Sequence, residues 1–130
     1  MRYMFLIYSR EEPSITSEEM AQVAAKHASV LEESSRRGLL RAADPLAPST
    51  TATTVRVEDG KVLVTDGPFA ETKEQLAGYY ILDCRDLDEA VEWAAKIPTS
   101  CQGAPGYVEI RPLRDIGKLS GINERTERDH

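Results

Sequence analysis

The sequence is poor in cysteine and contains no long apolar run. Its two cysteines, Cys84 and Cys101, have neither CxxC spacing nor a nearby histidine, which argues against a zinc site, and we expect no disulfide between them. No stretch approaches the roughly 18 apolar residues of a transmembrane helix. The apolar run Met4–Tyr8 is too short for a signal peptide. We therefore expect a cytoplasmic protein with no membrane partner.

Positive charge is also in deficit. The 16 Lys and Arg against 22 Asp and Glu give a net charge of −6, which argues against a nucleic-acid partner. The motifs GxGxxG, GxxxxGK[ST], HExxH and GxSxG are absent, so we expect no nucleotide cofactor and no catalytic metal. What is present, 130 residues with 41% hydrophobic and 29% charged, is typical of one globular domain.

Two segments have the pattern of amphipathic helices. Thr16 and Glu19 form the sequence of a capping box, and the apolar stripe that follows predicts a helix over residues 17–37. Asp86 is the N-cap of a second helix, with Trp93 away from the centre of its core face. The predicted core face of that second helix comprises Leu87, Ala90, Val91, Ala94 and Ile97.

Extended segments surround these helices. Residues 2–8 and 78–82 are apolar on both faces, and Asp59-Gly60 predicts a tight hairpin turn. The remaining predicted strands are 39–46, 53–58, 61–65 and 107–111. The order is βαββαβ with an inserted β-hairpin, a ferredoxin-like α+β pattern. Since two helices cover only one face of a sheet, we expect a homodimer, a dimeric α/β barrel with a small-molecule cleft at the sheet.

A longer segment carries a family resemblance. Residues 64–80, with Asp66-Gly67-Pro68-Phe69 at their centre, closely resemble the DGPF group of the YCII-related domain family. The resemblance extends over residues 1–114 and leaves 115–130 as a polar tail. It implies a ferredoxin-like fold that forms a dimeric α/β barrel. It also implies a suspected enzymatic function with a histidine and an aspartate as the active pair, whereas other relatives lie beside extracytoplasmic-function sigma factors.

His27 and Asp66 are the candidate catalytic residues. His27 projects from the apolar stripe of the first helix, where it could act as a base if a carboxylate oriented it. Its structural alternative is a packed histidine that hydrogen-bonds a backbone carbonyl. Asp66 either pairs with His27 or bonds the amides that follow it in an Asx-turn.

Four further residues are candidates for substrate binding. Phe69 either buries its loop or lines a pocket, and Glu71 and Lys73 are either solvated loop charges or part of the site. Arg111 either forms an ion pair with Glu109 or a partner subunit, or holds an anionic ligand.

Two functions remain open at this point. One is a small-molecule enzyme of the lyase or isomerase type that works without a cofactor, with His27 moving a proton for an anionic or carbonyl-bearing substrate. The other is a non-catalytic ligand-binding or regulatory module, with a sigma factor as its partner by family association.

Overall fold

The structure, a computed structural model, describes residues 1–11, 15–70, 72–99 and 106–116. The expectations for Cys101 and for nearly all of the polar tail concern residues outside these ranges. None of the helices described is both long and apolar enough to span a membrane. The elements, in chain order, are β1 (Arg2–Arg10), α1 (Ser17–Arg36), β2 (Leu40–Pro45), a 3-10 turn (Ser49–Thr51), β3 (Thr53–Glu58), β4 (Lys61–Asp66), β5 (Glu74–Asp83), α2 (Leu87–Lys96) and β6 (Gly106–Pro112).

Four of the strands form one antiparallel sheet in the order β2-β5-β1-β6, and β3 and β4 form a separate two-stranded sheet. In the larger sheet, α1 connects β1 to β2, and β5 lies between these two strands in the sheet. In the same way, α2 connects β5 to β6, and β1 lies between them. This arrangement is consistent with a ferredoxin-like α+β fold. The strand predicted over 78–82 begins earlier, at Glu74, because residues 74–76 continue the pairing with the end of β1.

The strand β1 is apolar on both faces, as predicted. Tyr3, Phe5 and Ile7 point toward the helices and are buried in the core. Met4, Leu6 and Tyr8 alternate with them and are only half-buried on the opposite face. We call that opposite side of the sheet the open face.

The first helix begins where the capping-box sequence predicts. The Glu19 backbone N–H donates to Thr16 Oγ1 at 3.1 Å, and the Thr16 N–H donates to Glu19 Oε1 at 3.1 Å. After the helix, Gly38 has a φ of 74°, which favours glycine. The buried residues of α1 are Val30 and Ser34, both in its second half. The first half therefore packs less closely on the sheet.

The predicted core face of α2 is correct for Ala90 and Ile97, which are buried, and for Ala94, which packs against the core, but it is wrong for the other positions. Trp93 is only 2% exposed, whereas Leu87 and Val91 are 55% and 53% exposed. Relative to the predicted face, the helix is rotated toward Trp93 and Glu89, and the buried Glu89 Oε1 accepts a hydrogen bond from the Arg85 backbone N–H at 2.7 Å. This rotation carries the single large aromatic of the helix into the core.

The β3–β4 hairpin turns at Asp59 and Gly60, whose φ values of 50° and 76° are the positive values that a type I′ turn needs. Every residue of the two strands except Thr54 is exposed. Where the hairpin ends, the Gly67 N–H donates to the Ala52 carbonyl at 2.7 Å. This bond closes the base of the hairpin.

Candidate functional site

A cavity of about 550 Å³ lies beneath the first half of α1, between the helix and strands β1, β2 and β5. The part of the predicted apolar stripe that does not pack on the sheet forms its roof. A second cavity, of about 690 Å³, adjoins it toward the end of β1. The two cavities share the lining residues Ile7, Ile15, Met20, Val23, His27 and Ala77.

The cavity exists because both of its walls carry small residues. The helix contributes Ala24 and Ala28, and the strands contribute Ala43, Ala77 and Gly78, so no large side chain fills the gap. At Gly78 the backbone of β2 comes especially close. A Cβ there would lie 2.9 Å from the Asp44 carbonyl oxygen, so a side chain at this position would push β2 away.

His27 and Tyr80 form the polar centre of this cavity. His27 Nδ1 lies 2.8 Å from Tyr80 Oη, and the two rings stack with centroids 5.9 Å apart. Tyr80 is held on the central strand β5 and is 3% exposed, whereas His27 is half-buried. Burial lowers the pKa of His27 and raises the pKa of Tyr80 to about 12. Both rings are therefore uncharged at neutral pH, and each has one donor and one acceptor function.

Among the described residues, His27 forms a hydrogen bond with neither of the two kinds of partner expected for it, a carboxylate or a backbone carbonyl. The histidine contacts a phenol hydroxyl rather than a carboxylate or a backbone carbonyl. A signal for this contact exists in the sequence, because alternation along residues 78–82 places Tyr80 on one face with Gly78 and Leu82. A buried tyrosine usually needs a hydrogen-bond partner for its hydroxyl.

Asp66 is not among the residues that line either cavity. It is the last residue of β4, lies opposite Thr53 in the hairpin and is exposed. Across the described part of the chain, its carboxylate has no hydrogen-bond partner, so the expected Asx-turn is not formed with those residues. The pairing of Asp66 with His27 thus receives no support from the cavity lining.

Of the other residues predicted from the DGPF segment, the two that the structure describes line neither cavity. Phe69 is 78% exposed, so the expectation that it buries its loop is wrong for the single chain. Lys73 is exposed and lines neither cavity. Glu71 lies outside the described residues.

Arg111 lies on the opposite side of the sheet from Tyr80. Tyr80 pairs with Phe5 on β1, and Arg111 pairs with Met4, so the two side chains point to opposite faces. Arg111 forms an ion pair with Glu109 at 3.7 Å, which is the structural alternative predicted for it. The structure therefore does not bring Arg111 and His27 together in one cleft.

The described residues provide neither a metal site nor a reactive cysteine thiol. Those residues contain no group of three or more His, Cys, Asp or Glu side chains arranged to hold a metal ion. Cys84 is buried, as predicted, and burial is the main cause that raises the pKa of its thiol to about 11. A thiol of this kind is a packing group rather than a nucleophile.

The chain is thus an antiparallel α+β domain with an apolar cavity and a histidine–tyrosine pair. A model of the YCII-related domain matches residues 1–116. The chain belongs to the YCII-related domain family, and the resemblance predicted from the DGPF segment is confirmed at the level of that family. The chain is also similar to an uncharacterised protein of Rhizobium meliloti (strain 1021), with 40% identity over 117 residues that cover 87% of this chain and 92% of the relative.

Proposed function

We propose that this protein binds a small, largely apolar molecule in the cavity beneath α1 and contacts it through His27. The observation that carries this proposal is a half-buried, uncharged histidine on the wall of an apolar cavity of about 550 Å³. Small-molecule sites combine this kind of apolar lining with a few polar groups, in volumes of about 300–1,000 Å³.

The lining favours an uncharged ligand. No lysine or arginine lines the cavity that contains the histidine–tyrosine pair, and its one acidic residue, Asp44, uses its carboxylate to accept a hydrogen bond from the Tyr79 hydroxyl at 3.0 Å. Arg10 lines only the adjoining cavity, together with the acidic Glu11. An anion placed there would lose its hydration without gaining a cation. Of the two ligand types predicted from the sequence, the carbonyl-bearing molecule suits this lining and the anion does not.

The same pair supports proton-transfer chemistry as the catalytic form of this function. A neutral imidazole in an apolar site can polarise or protonate a carbonyl oxygen, and no organic cofactor is needed for that step. A lyase or isomerase would then use His27 with Tyr80, in place of the His27 and Asp66 pair expected from the family. A purely ligand-binding protein would use the same cavity without turnover.

Binding is tested with prodan, an uncharged naphthalene ketone whose fluorescence shifts to the blue in apolar surroundings. We expect saturable binding to the wild-type protein and at least about tenfold weaker binding to Ala24→Phe, because the phenyl ring fills the cavity. Ala25→Phe is the matched control, since Ala25 is the next residue on the same helix and does not line the cavity. Equal binding to both variants would contradict the proposal.

We also propose that a second copy of the chain covers the open face, giving the dimeric α/β barrel. This face presents the half-buried apolar side chains Met4, Leu6, Tyr8, Tyr79 and Ile81, and neither helix covers it. Light scattering should give twice the 14.4 kDa chain mass. Leu6→Lys should yield monomers, whereas Val91→Lys, on the exposed side of α2, should leave the dimer intact. A monomeric wild-type protein at micromolar concentration would refute this assembly.

A further inference from the structure

The hydrogen bond between His27 and Tyr80 bears on the tautomer of the imidazole as well as on the position of its ring. His27 Nδ1 and Tyr80 Oη are 2.8 Å apart, and among the described residues neither group has another hydrogen-bond partner. Tyr80 lies on β5, which is paired on both sides by β1 and β2, so its hydroxyl is held by the interior of the sheet. The helix that carries His27 is more loosely packed at this point. The tyrosine is therefore the fixed member of the pair.

The direction of this hydrogen bond follows from the chemistry of the two rings. A neutral phenol is a stronger acid than a neutral imidazole N–H, and an imidazole nitrogen is a stronger base than a phenol oxygen. The favourable arrangement has the Tyr80 O–H donating to His27 Nδ1. A neutral imidazole carries one proton, so Nε2 is then the protonated nitrogen.

We infer that Tyr80 is a positioning residue that holds His27 as its Nε2–H tautomer, so that the ligand is recognised through a hydrogen-bond acceptor oxygen such as a carbonyl. This inference rests on the proposed function for its ligand, but the tautomer is a property of the protein alone. Nε2 has no partner within the described part of the chain, while the ring lines both cavities. In the resting protein His27 is accordingly a donor, and in a catalytic cycle it would act first as an acid toward the carbonyl oxygen.

The tautomer is measured by two-bond 1H–15N correlation spectra of the 15N-labelled protein. The chain contains two histidines, so His27→Gln assigns the signals of His27. We expect the Nε2–H pattern in the wild-type protein and a mixture of both tautomers in Tyr80→Phe. Tyr107→Phe is the control, because Tyr107 stacks on Tyr8 on the open face and should leave the pattern unchanged. An Nδ1–H pattern in the wild type, or no change in Tyr80→Phe, would overturn the inference.

Ligand recognition is tested with prodan and with the analogue in which a propyl group replaces its propionyl group. The wild-type protein should bind the ketone about three- to tenfold more tightly than the analogue, which corresponds to one hydrogen bond. His27→Leu should lose this preference, whereas His27→Gln should keep most of it because its amide still donates. Tyr80→Phe should reduce it.

The outcomes separate the two proposals. If neither probe binds, the proposed function fails for this class of molecule, and the tautomer result is still decided by the spectra. If both probes bind equally to a protein with the Nε2–H pattern, binding in the cavity is supported and recognition through an acceptor oxygen is refuted.

Discussion

The His27–Tyr80 hydrogen bond makes a quantitative prediction for a double-mutant cycle. Tyr80→Phe removes the hydroxyl and leaves Nδ1 on a half-buried ring that water can reach, so unfolding should become easier by only about 1 kcal/mol. His27→Leu leaves the hydroxyl of Tyr80, a residue that is 3% exposed, without its partner. The expected cost of that buried group is about 1–3 kcal/mol.

The double variant His27→Leu/Tyr80→Phe replaces both partners with apolar groups of similar shape. Such replacements are nearly neutral, so its loss of stability should stay below about 1 kcal/mol. The two single losses add to about 2–4 kcal/mol, and the coupling energy between the residues is therefore expected to be about 1–4 kcal/mol. The buried phenol hydroxyl is the origin of this coupling.

Urea unfolding followed by the fluorescence of the single tryptophan, Trp93, measures all four proteins. The protein concentration must be held constant, because a dimer gains stability with concentration. Val91→Thr is the control and should change stability by less than about 0.5 kcal/mol, since Val91 is 53% exposed on α2, away from both the cavity and the open face. If the single losses simply add in the double variant, the hydrogen bond does not stabilise the fold and the reasoning is refuted.

Three further predictions concern the stability of the fold. Trp93→Ala should lower the free energy of unfolding by about 3–5 kcal/mol, measured by circular dichroism, because it leaves a large cavity in the core. It also removes the ring that lies under Lys96 Nζ at 4.6 Å and under the Arg37 guanidinium at 5.3 Å. A loss below about 1 kcal/mol would contradict the burial of this side chain. Thr16→Ala should cost about 1 kcal/mol in urea unfolding through loss of the capping box, and an unchanged midpoint would contradict that role. Because burial lowers the pKa of His27 in the folded state, the unfolded chain binds the proton more readily. The contribution of His27 to stability should therefore be unaffected well above pH ~6.5 and should fall as the pH drops through and below that value. His27→Gln should remove this pH dependence, and identical pH profiles of the two proteins would refute it.

The local features of this protein could be predicted from its sequence. The capping box at Thr16 and Glu19 and the turn at Asp59-Gly60 involve residues one to three positions apart, so their geometry depends on a few neighbouring dihedral angles. Strand alternation likewise predicted that β1 is apolar on both faces. The DGPF segment was sufficient to identify the family.

Only the tertiary structure decided how these elements meet. The partner of His27 is 53 positions away along the chain, and periodicity does not say which helix residue lies over which strand residue. The orientation of α2 is also a feature of the tertiary structure, since it buries Glu89 and Trp93, two residues that a count of apolar positions undervalues. Arg111 and His27 are both near apolar positions in the sequence, yet strand pairing places the arginine on the open face and the histidine beneath the helix. The candidate site arises from the small residues of three strands and one helix, because the space they leave is a property of their packing and not of any one segment.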